Sequence, residues 1–186
     1  MELRYESWKT ISDMEALPEG TGAELINGVI YDMAAPTVAH QELVSFLHGT
    51  IWNYIFTRGG TCKVFTAPFD VQLDKDDYTL VQPDISVICD KDKLSNGKRC
   101  IGAPDWIVEI VSPSTDTRDY KTKLLKYRAA GVRAYWIVDP LDKRIVIYSF
   151  ESGAFQILPL QCKVKAEIFP DLEVDFAALD FSGLDT

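Results

Sequence analysis

Asp105-Trp106-Ile107-Val108-Glu109-Ile110-Val111, followed by Ser112-Pro113-Ser114-Thr115-Asp116 and a basic segment, is the stretch whose reading decides the fold. The apolar, β-branched run predicts a strand covered on both sheet faces, and the Ser/Pro/Ser/Thr cluster predicts its exit turn and a helix cap. Side chains alternate along a strand, so Trp106, Val108 and Ile110 face one side while Ile107, Glu109 and Val111 face the other. Glu109 thus sits among aliphatics. A lone buried carboxylate costs several kcal/mol, so a metal ion, a lysine or both must meet it.

A helix over residues 116–130, closed by Gly131, follows. At roughly 100° per residue, Asp116, Tyr120, Lys123, Leu124 and Tyr127 share one side, with Lys121 and Lys126 on the flanks. Lys123 is the lysine that faces the sheet, where it either snorkels or meets the acid of the preceding strand. Arg118, Lys121, Lys123, Lys126 and Arg128, opposed only by Asp119, form either a locally basic face or an ordinary solvated one.

Upstream, residues 11–17 predict a short helix capped by Ser12. Residues 23–33 carry Asn27-Gly28 between apolar runs, which predicts a type I′ hairpin pairing Glu24 with Tyr31 and Ile26 with Val29. Glu24 then shares a face with Ile26, Val29, Tyr31 and Met33, unless it lies at a frayed end and reaches water. Thr37 caps a helix to Arg58, stopped by Gly59-Gly60. His40 falls on its buried stripe with Val44, Leu47, Ile51, Tyr54 and Ile55, as a satisfied core histidine or as support beside a site.

Residues 62–73 and 80–89 predict two strands joined by the acidic turn Asp74-Lys75-Asp76-Asp77. Pro83 removes a ladder donor and presents Asp84 where regular pairing begins. Residues 134–139 and 144–150 predict two more strands, a hairpin crosses Glu151-Ser152-Gly153, a strand lies near 164–168, and residues 175–180 form a last helical turn.

Composition narrows the function classes. The chain has 186 residues, 47% hydrophobic and 25% charged, which suits one globular domain over 1–186. A net charge of −9 argues against a non-specific nucleic-acid coat. No apolar run approaches the ~18 residues of a membrane span, and the start lacks a signal-peptide pattern, so a cytoplasmic protein without membrane contact is expected. Cys62, Cys89, Cys100 and Cys162 show no C-x-x-C pairing and are expected as buried free thiols; with only His40 and His48 besides, a zinc site is not supported.

Taken together, Glu24 in a hairpin, Pro83-Asp84, Glu109 on a buried strand and a lysine after it resemble the PD-(D/E)XK, or restriction-endonuclease-like, core. More closely, Tyr31-Asp32-Met33-Ala34-Ala35-Pro36 with His40, Gln82-Pro83-Asp84, residues 109–115, Asp119 through Lys123, and residues 131–140 resemble the Uma-two family of endonucleases, a likeness running from about Glu24 to about Tyr148. The resemblance implies an α/β (α+β) fold with a restriction-endonuclease-like core: a mixed central β-sheet flanked by helices, an N-terminal β-hairpin and a C-terminal β-extension. It also implies Asp84, Glu109 and Lys123 as catalytic residues and Glu24, Asp84 and Glu109 as ligands of Mg²⁺ or Mn²⁺, for hydrolysis of phosphodiesters in nucleic acid, DNA above all.

One departure stands out. The superfamily lysine follows the acid by two residues, where this chain has Val111; the Uma-two likeness moves the role to Lys123, the residue the helix geometry selects. A homodimer is expected from the need to cut two strands. The competing reading is a catalytically silent nuclease fold serving as a nucleic-acid-binding or protein-interaction module. A purely structural Glu109–Lys123 ion pair predicts their contact without a solvent-accessible pocket.

Overall fold

A computed structural model describes residues 8–112 and 118–179. At the N-terminal side, α1 (Ile11–Glu15) is capped by Thr10 rather than Ser12, in a reciprocal capping box with Asp13. The hairpin of β1 (Ala23–Ile26) and β2 (Val29–Asp32) has the expected register, Glu24 opposite Tyr31 and Ile26 opposite Val29. Its turn holds Asn27 at φ 50° and Gly28 at φ 76°, the left-handed pair that a type I′ turn requires.

Next come α2 (Val38–Thr57), capped by Thr37, then β3 (Lys63–Thr66), β4 (Val71–Gln72), β5 (Ile85–Ile88), β6 (Cys100–Ile101) and β7 (Trp106–Ile110). A π-helical turn, Arg118–Lys123, runs into α3 (Leu124–Ala130), closed by Gly131 at φ 92°. The chain continues through β8 (Ala134–Asp139), β9 (Arg144–Ser149), β10 (Ala154–Pro159), β11 (Lys163–Lys165) and β12 (Glu173–Asp175). The expected helix start near Asp116 and the cap residue Ser114 lie outside the described residues.

The central sheet has six strands in the order β10-β9-β8-β7-β5-β3. It is mixed: β7 and β8 are parallel and joined by the helical crossover, and the other neighbours are antiparallel. Of the six α2 residues expected on its buried stripe, Leu47, Ile51 and Ile55 are buried and His40, Val44 and Tyr54 are half-buried; Leu43 completes the covered row with Leu47, Ile51 and Ile55. These pack on the face carrying Trp106, Val108 and Ile110, where Trp106 and Trp136 meet edge to face. The opposite face, with Ile107 and Val111, is covered by Tyr127 of α3. The alternation expected for residues 105–111 is therefore the sheet's own division between its two cores. Each large aliphatic buried this way stabilises the fold by about 1.5–3 kcal/mol.

Two expectations need correction. The strands foreseen over 62–73 and 80–89 are each broken: β3 and β5 pair in the main sheet, whereas Val71 and Val81 bridge outside it and Leu80 bridges to Leu25 of the hairpin. Proline is the physical reason, since Pro68 and Pro83 interrupt the ladder donors at the bends. Nor are all four cysteines free thiols. Cys62 and Cys89 form a disulfide with Cα atoms 3.9 Å apart, because the Lys63–Ile88 pairing sets the next two residues face to face; Cys100 and Cys162 are free. Among the described residues no helix is long and apolar enough to cross a membrane.

Candidate active site

Asp84 and Glu109 are brought together by strand register. Ile85 pairs with Val108 across β5 and β7, so the residues next to that pair, Asp84 and Glu109, are neighbours at the same end of the sheet. The two strands then exchange side-chain contacts: the Ile110 amide donates to Asp84 Oδ2 at 2.7 Å, and the Asp84 amide approaches Glu109 Oε2 at 3.4 Å. Carboxylates placed side by side repel, so donors from elsewhere must hold them.

Those donors come from the flanking helices. Lys123 Nζ, at the end of the π-helical turn, lies 2.8 Å from Glu109 Oε1, 3.0 Å from Glu24 Oε1 and 3.6 Å from Asp119 Oδ1. Tyr127, one α-helical turn further, donates its hydroxyl to Glu109 Oε1 at 2.6 Å. From the first turn of α2, His40 Nε2 reaches Asp84 Oδ2 at 3.2 Å. Glu24 on β1 accepts from the Gln82 amide at 2.9 Å, and Arg118 approaches its other oxygen at 3.7 Å while stacking on Tyr31. Glu24 is therefore no frayed-end residue: it is 1% exposed.

The electrostatics follow from burial. Glu24, Glu109 and Asp119 are withdrawn from water, with Asp84 beside them, and the permanent cations among them are Lys123 and Arg118. Burial pushes Glu109 well above the usual carboxylate range; Lys123 opposes that rise, while Asp119, Asp84 and Glu24 add to it. For Lys123, burial disfavours the charged form, but Glu109, Glu24 and Asp119 outweigh it and hold the ammonium well above its ordinary value. For His40, burial acts to lower the pKa, but the Asp84 hydrogen bond and charge raise it above the ordinary value. The cluster carries more acid than fixed cation, a condition that favours a further positive charge.

An open cleft of about 640 Å³ gives access to this cluster. Glu24, Asp84, Glu109 and Lys123 all line it, beneath the loops at 20–22, 33–36 and 67–68. The Glu109–Lys123 contact and a pocket thus occur together, unlike the purely structural ion pair. The basic stretch, by contrast, is not a continuous face: Lys123 is buried, Arg118 lies on Tyr31, and Lys126 pairs with Asp74, leaving Lys121 and Arg128 exposed.

Asp119, Arg118 and the Tyr127 hydroxyl join the site without standing out as site groups in the sequence. The spacing Asp119, Lys123, Tyr127 is a polar stripe at four-residue intervals that marks them.

Among the described residues no group of three His, Cys, Asp or Glu side chains is placed so that it could hold a metal ion. The donor chemistry nevertheless fits a hard divalent cation. Asp84 Oδ1 accepts no hydrogen bond among the described residues, and Glu109 Oε2 has only the long Asp84 amide contact. Both are carboxylate oxygens, the ligands that Mg²⁺ and Mn²⁺ prefer. Glu24 fits less directly, because its oxygens already meet Gln82, Lys123 and Arg118.

No curated protein matches this chain. Among solved structures, it is similar to the crystal structure of a "putative nuclease belonging to DUF820" from Anabaena variabilis, with a TM-score of 0.73 at 21% identity, covering 90% of this chain and 95% of that one. At that identity the likeness shows the fold alone, a mixed central sheet with helices packed against it. The model of the Uma2 family, described as "Putative restriction endonuclease", matches residues 8–178, nearly the whole length and every acid of the cluster. The chain belongs to the Uma2 family.

Proposed function

We propose that the protein is a divalent-metal-dependent DNA endonuclease, acting as a cytoplasmic homodimer. The observation that supports this reading is the adjacency of Asp84 and Glu109 on the wall of an accessible cleft, with the Lys123 ammonium 2.8 Å from Glu109. Family membership makes nucleic acid the substrate class to test first.

In this reading Asp84 and Glu109, with Glu24 as the third acid, hold Mg²⁺ or Mn²⁺. When bound, such an ion polarises the scissile phosphate and lowers the pKa of its water. The chain's own groups do the rest. Tyr127 and Lys123 restrain one Glu109 oxygen and leave the other with only the long Asp84 amide contact. Lys123 keeps its proton and offers a fixed positive charge to the phosphate oxygens as negative charge builds during attack. Water adds to phosphorus, one P–O ester bond breaks, and the products are a phosphomonoester end and a hydroxyl end. No covalent enzyme intermediate is needed, and Ser112 is left as a turn residue.

The test is cleavage of a supercoiled plasmid and of a matched RNA with Mg²⁺ or Mn²⁺, using wild type, Glu109→Ala and Lys123→Ala. Cleavage of the plasmid by wild type, lost in both variants, is the expected result. Cleavage that survives both substitutions would overturn the site. Nucleic-acid retention without cleavage or Mn²⁺ binding would identify the catalytically silent fold instead.

A further inference from the structure

His40 stands on an element that contributes nothing else to the acid cluster, yet its ring reaches into it. It lies in the first turn of α2, a helix anchored by Leu43, Leu47, Ile51 and Ile55 in the main core. Its Nε2 is 3.2 Å from Asp84 Oδ2, the oxygen that already accepts from the Ile110 amide at 2.7 Å. The second ring nitrogen, Nδ1, is buried without a hydrogen-bond partner among the described residues.

This arrangement excludes one role and favours another. A ligand to a cation in the cleft needs a ring nitrogen with a lone pair facing the cleft; Nε2 is committed to Asp84, and Nδ1 is shut away from solvent. What the ring supplies is a second donor to one carboxylate oxygen. The terminal torsion of an aspartate is soft, so one amide donor leaves its carboxylate free to swing. A second donor, arriving at the same oxygen from a different rigid element, restrains that motion and leaves Oδ1, which accepts no hydrogen bond among the described residues, available to a cation. An imidazole can do this as a neutral donor, whereas a lysine or arginine would place permanent charge where a cation is to bind.

We infer that His40 is a positioning residue that locks the Asp84 carboxylate for divalent-cation binding. The inference rests on the metal-dependent reading above. Removing such a partner from a ligating carboxylate weakens metal affinity by about 10–100-fold.

The experiment is a calorimetric Mn²⁺ titration of the full chain as wild type, His40→Ala, His40→Asn and His40→Gln, with thermal unfolding of each metal-free protein. The glutamine amide extends to the position of Nε2; the asparagine amide stops near Nδ1 and falls short of Asp84. Near-wild-type affinity for His40→Gln is expected, with weakening of about 10–100-fold for His40→Asn and His40→Ala, and metal-free Tm values close together. Affinity unchanged in His40→Asn and His40→Ala overturns the inference and leaves the metal reading standing. Affinity that merely follows Tm, glutamine included, makes the pair structural and also overturns it. Failure of wild type to bind Mn²⁺ removes the metal reading and this inference together. Should His40→Ala not fold, the comparison of glutamine with asparagine decides alone.

Discussion

Lys123 and Glu24, which come from opposite halves of the chain, meet at 3.0 Å, and Glu109 lies 2.8 Å from the same ammonium nitrogen. One cation thus ties the N-terminal hairpin to the central sheet. Lys123→Met leaves these acids buried without their shared partner. It should destabilise the protein by about 3–5 kcal/mol, a fall in Tm of about 6–20 °C for a chain of this size. An unchanged Tm in a calorimetric scan would refute the bridge.

Tyr127 donates to Glu109 at 2.6 Å while its ring packs edge-on against Tyr135. Tyr127→Phe keeps the ring and removes only the hydroxyl. Urea unfolding should show a loss of about 1–2 kcal/mol at unchanged slope, the effect of withdrawing one donor from a buried acceptor. A loss within error would mean that Lys123 alone satisfies that oxygen.

The raised pKa of Glu109 fixes the sign of a pH effect in metal-free protein. Its folded value lies above its unfolded value, so its contribution to stability is fully present below the unfolded pKa and is lost as pH rises through the folded one. Lys123 is also raised, but its contribution is lost only above its ordinary value near 10.5. Asp13 and Glu15, held low by Thr10 and by Lys98 and Arg99 respectively, act oppositely and lose their contribution as pH falls through their folded values, in the acid range. Above that acid range, metal-free wild type should therefore lose Tm with rising pH, and Glu109→Gln should lose less. Parallel pH curves for the two proteins would contradict this.

The Cys62–Cys89 bridge closes a loop between an outer strand and its neighbour, a sequence separation of 27. Thiol titration of the unreduced, denatured protein should find two reactive groups, Cys100 and Cys162. Cys89→Ser should lower stability by about 2–4 kcal/mol. Four reactive thiols would show that the bridge does not form.

Much of this was written plainly in the chain. Residues 105–111 announce a strand with two apolar faces, and Asn27-Gly28 sets the hairpin register that aims Glu24 inward. Helix geometry picks Lys123 because a position in line with Leu124 and Tyr127 must face the sheet. What stayed hidden depends on distant parts meeting. Cys62 and Cys89 look unrelated until β3 and β5 pair, and although Pro68 and Pro83 mark the breaks, the bridges of Val71 to Val81 and of Leu80 to Leu25 beyond them appear only once the hairpin is in place. Asp119 does not stand out in the sequence because a charged residue at a helix start ordinarily faces water; here the wide turn and Lys123 draw it inward to 1% exposure.

That wide turn carries a further implication for chain length. Residues Arg118–Lys123 wind more loosely than the α-helix they feed. Deleting one residue between Asp119 and Lys123 would keep the Lys123–Tyr127 spacing but turn Asp119 by about 100° relative to Lys123. The wide turn therefore constrains both residue count and side chains at Asp119 and Lys123, and leaves free exchange to an outward position such as Lys121.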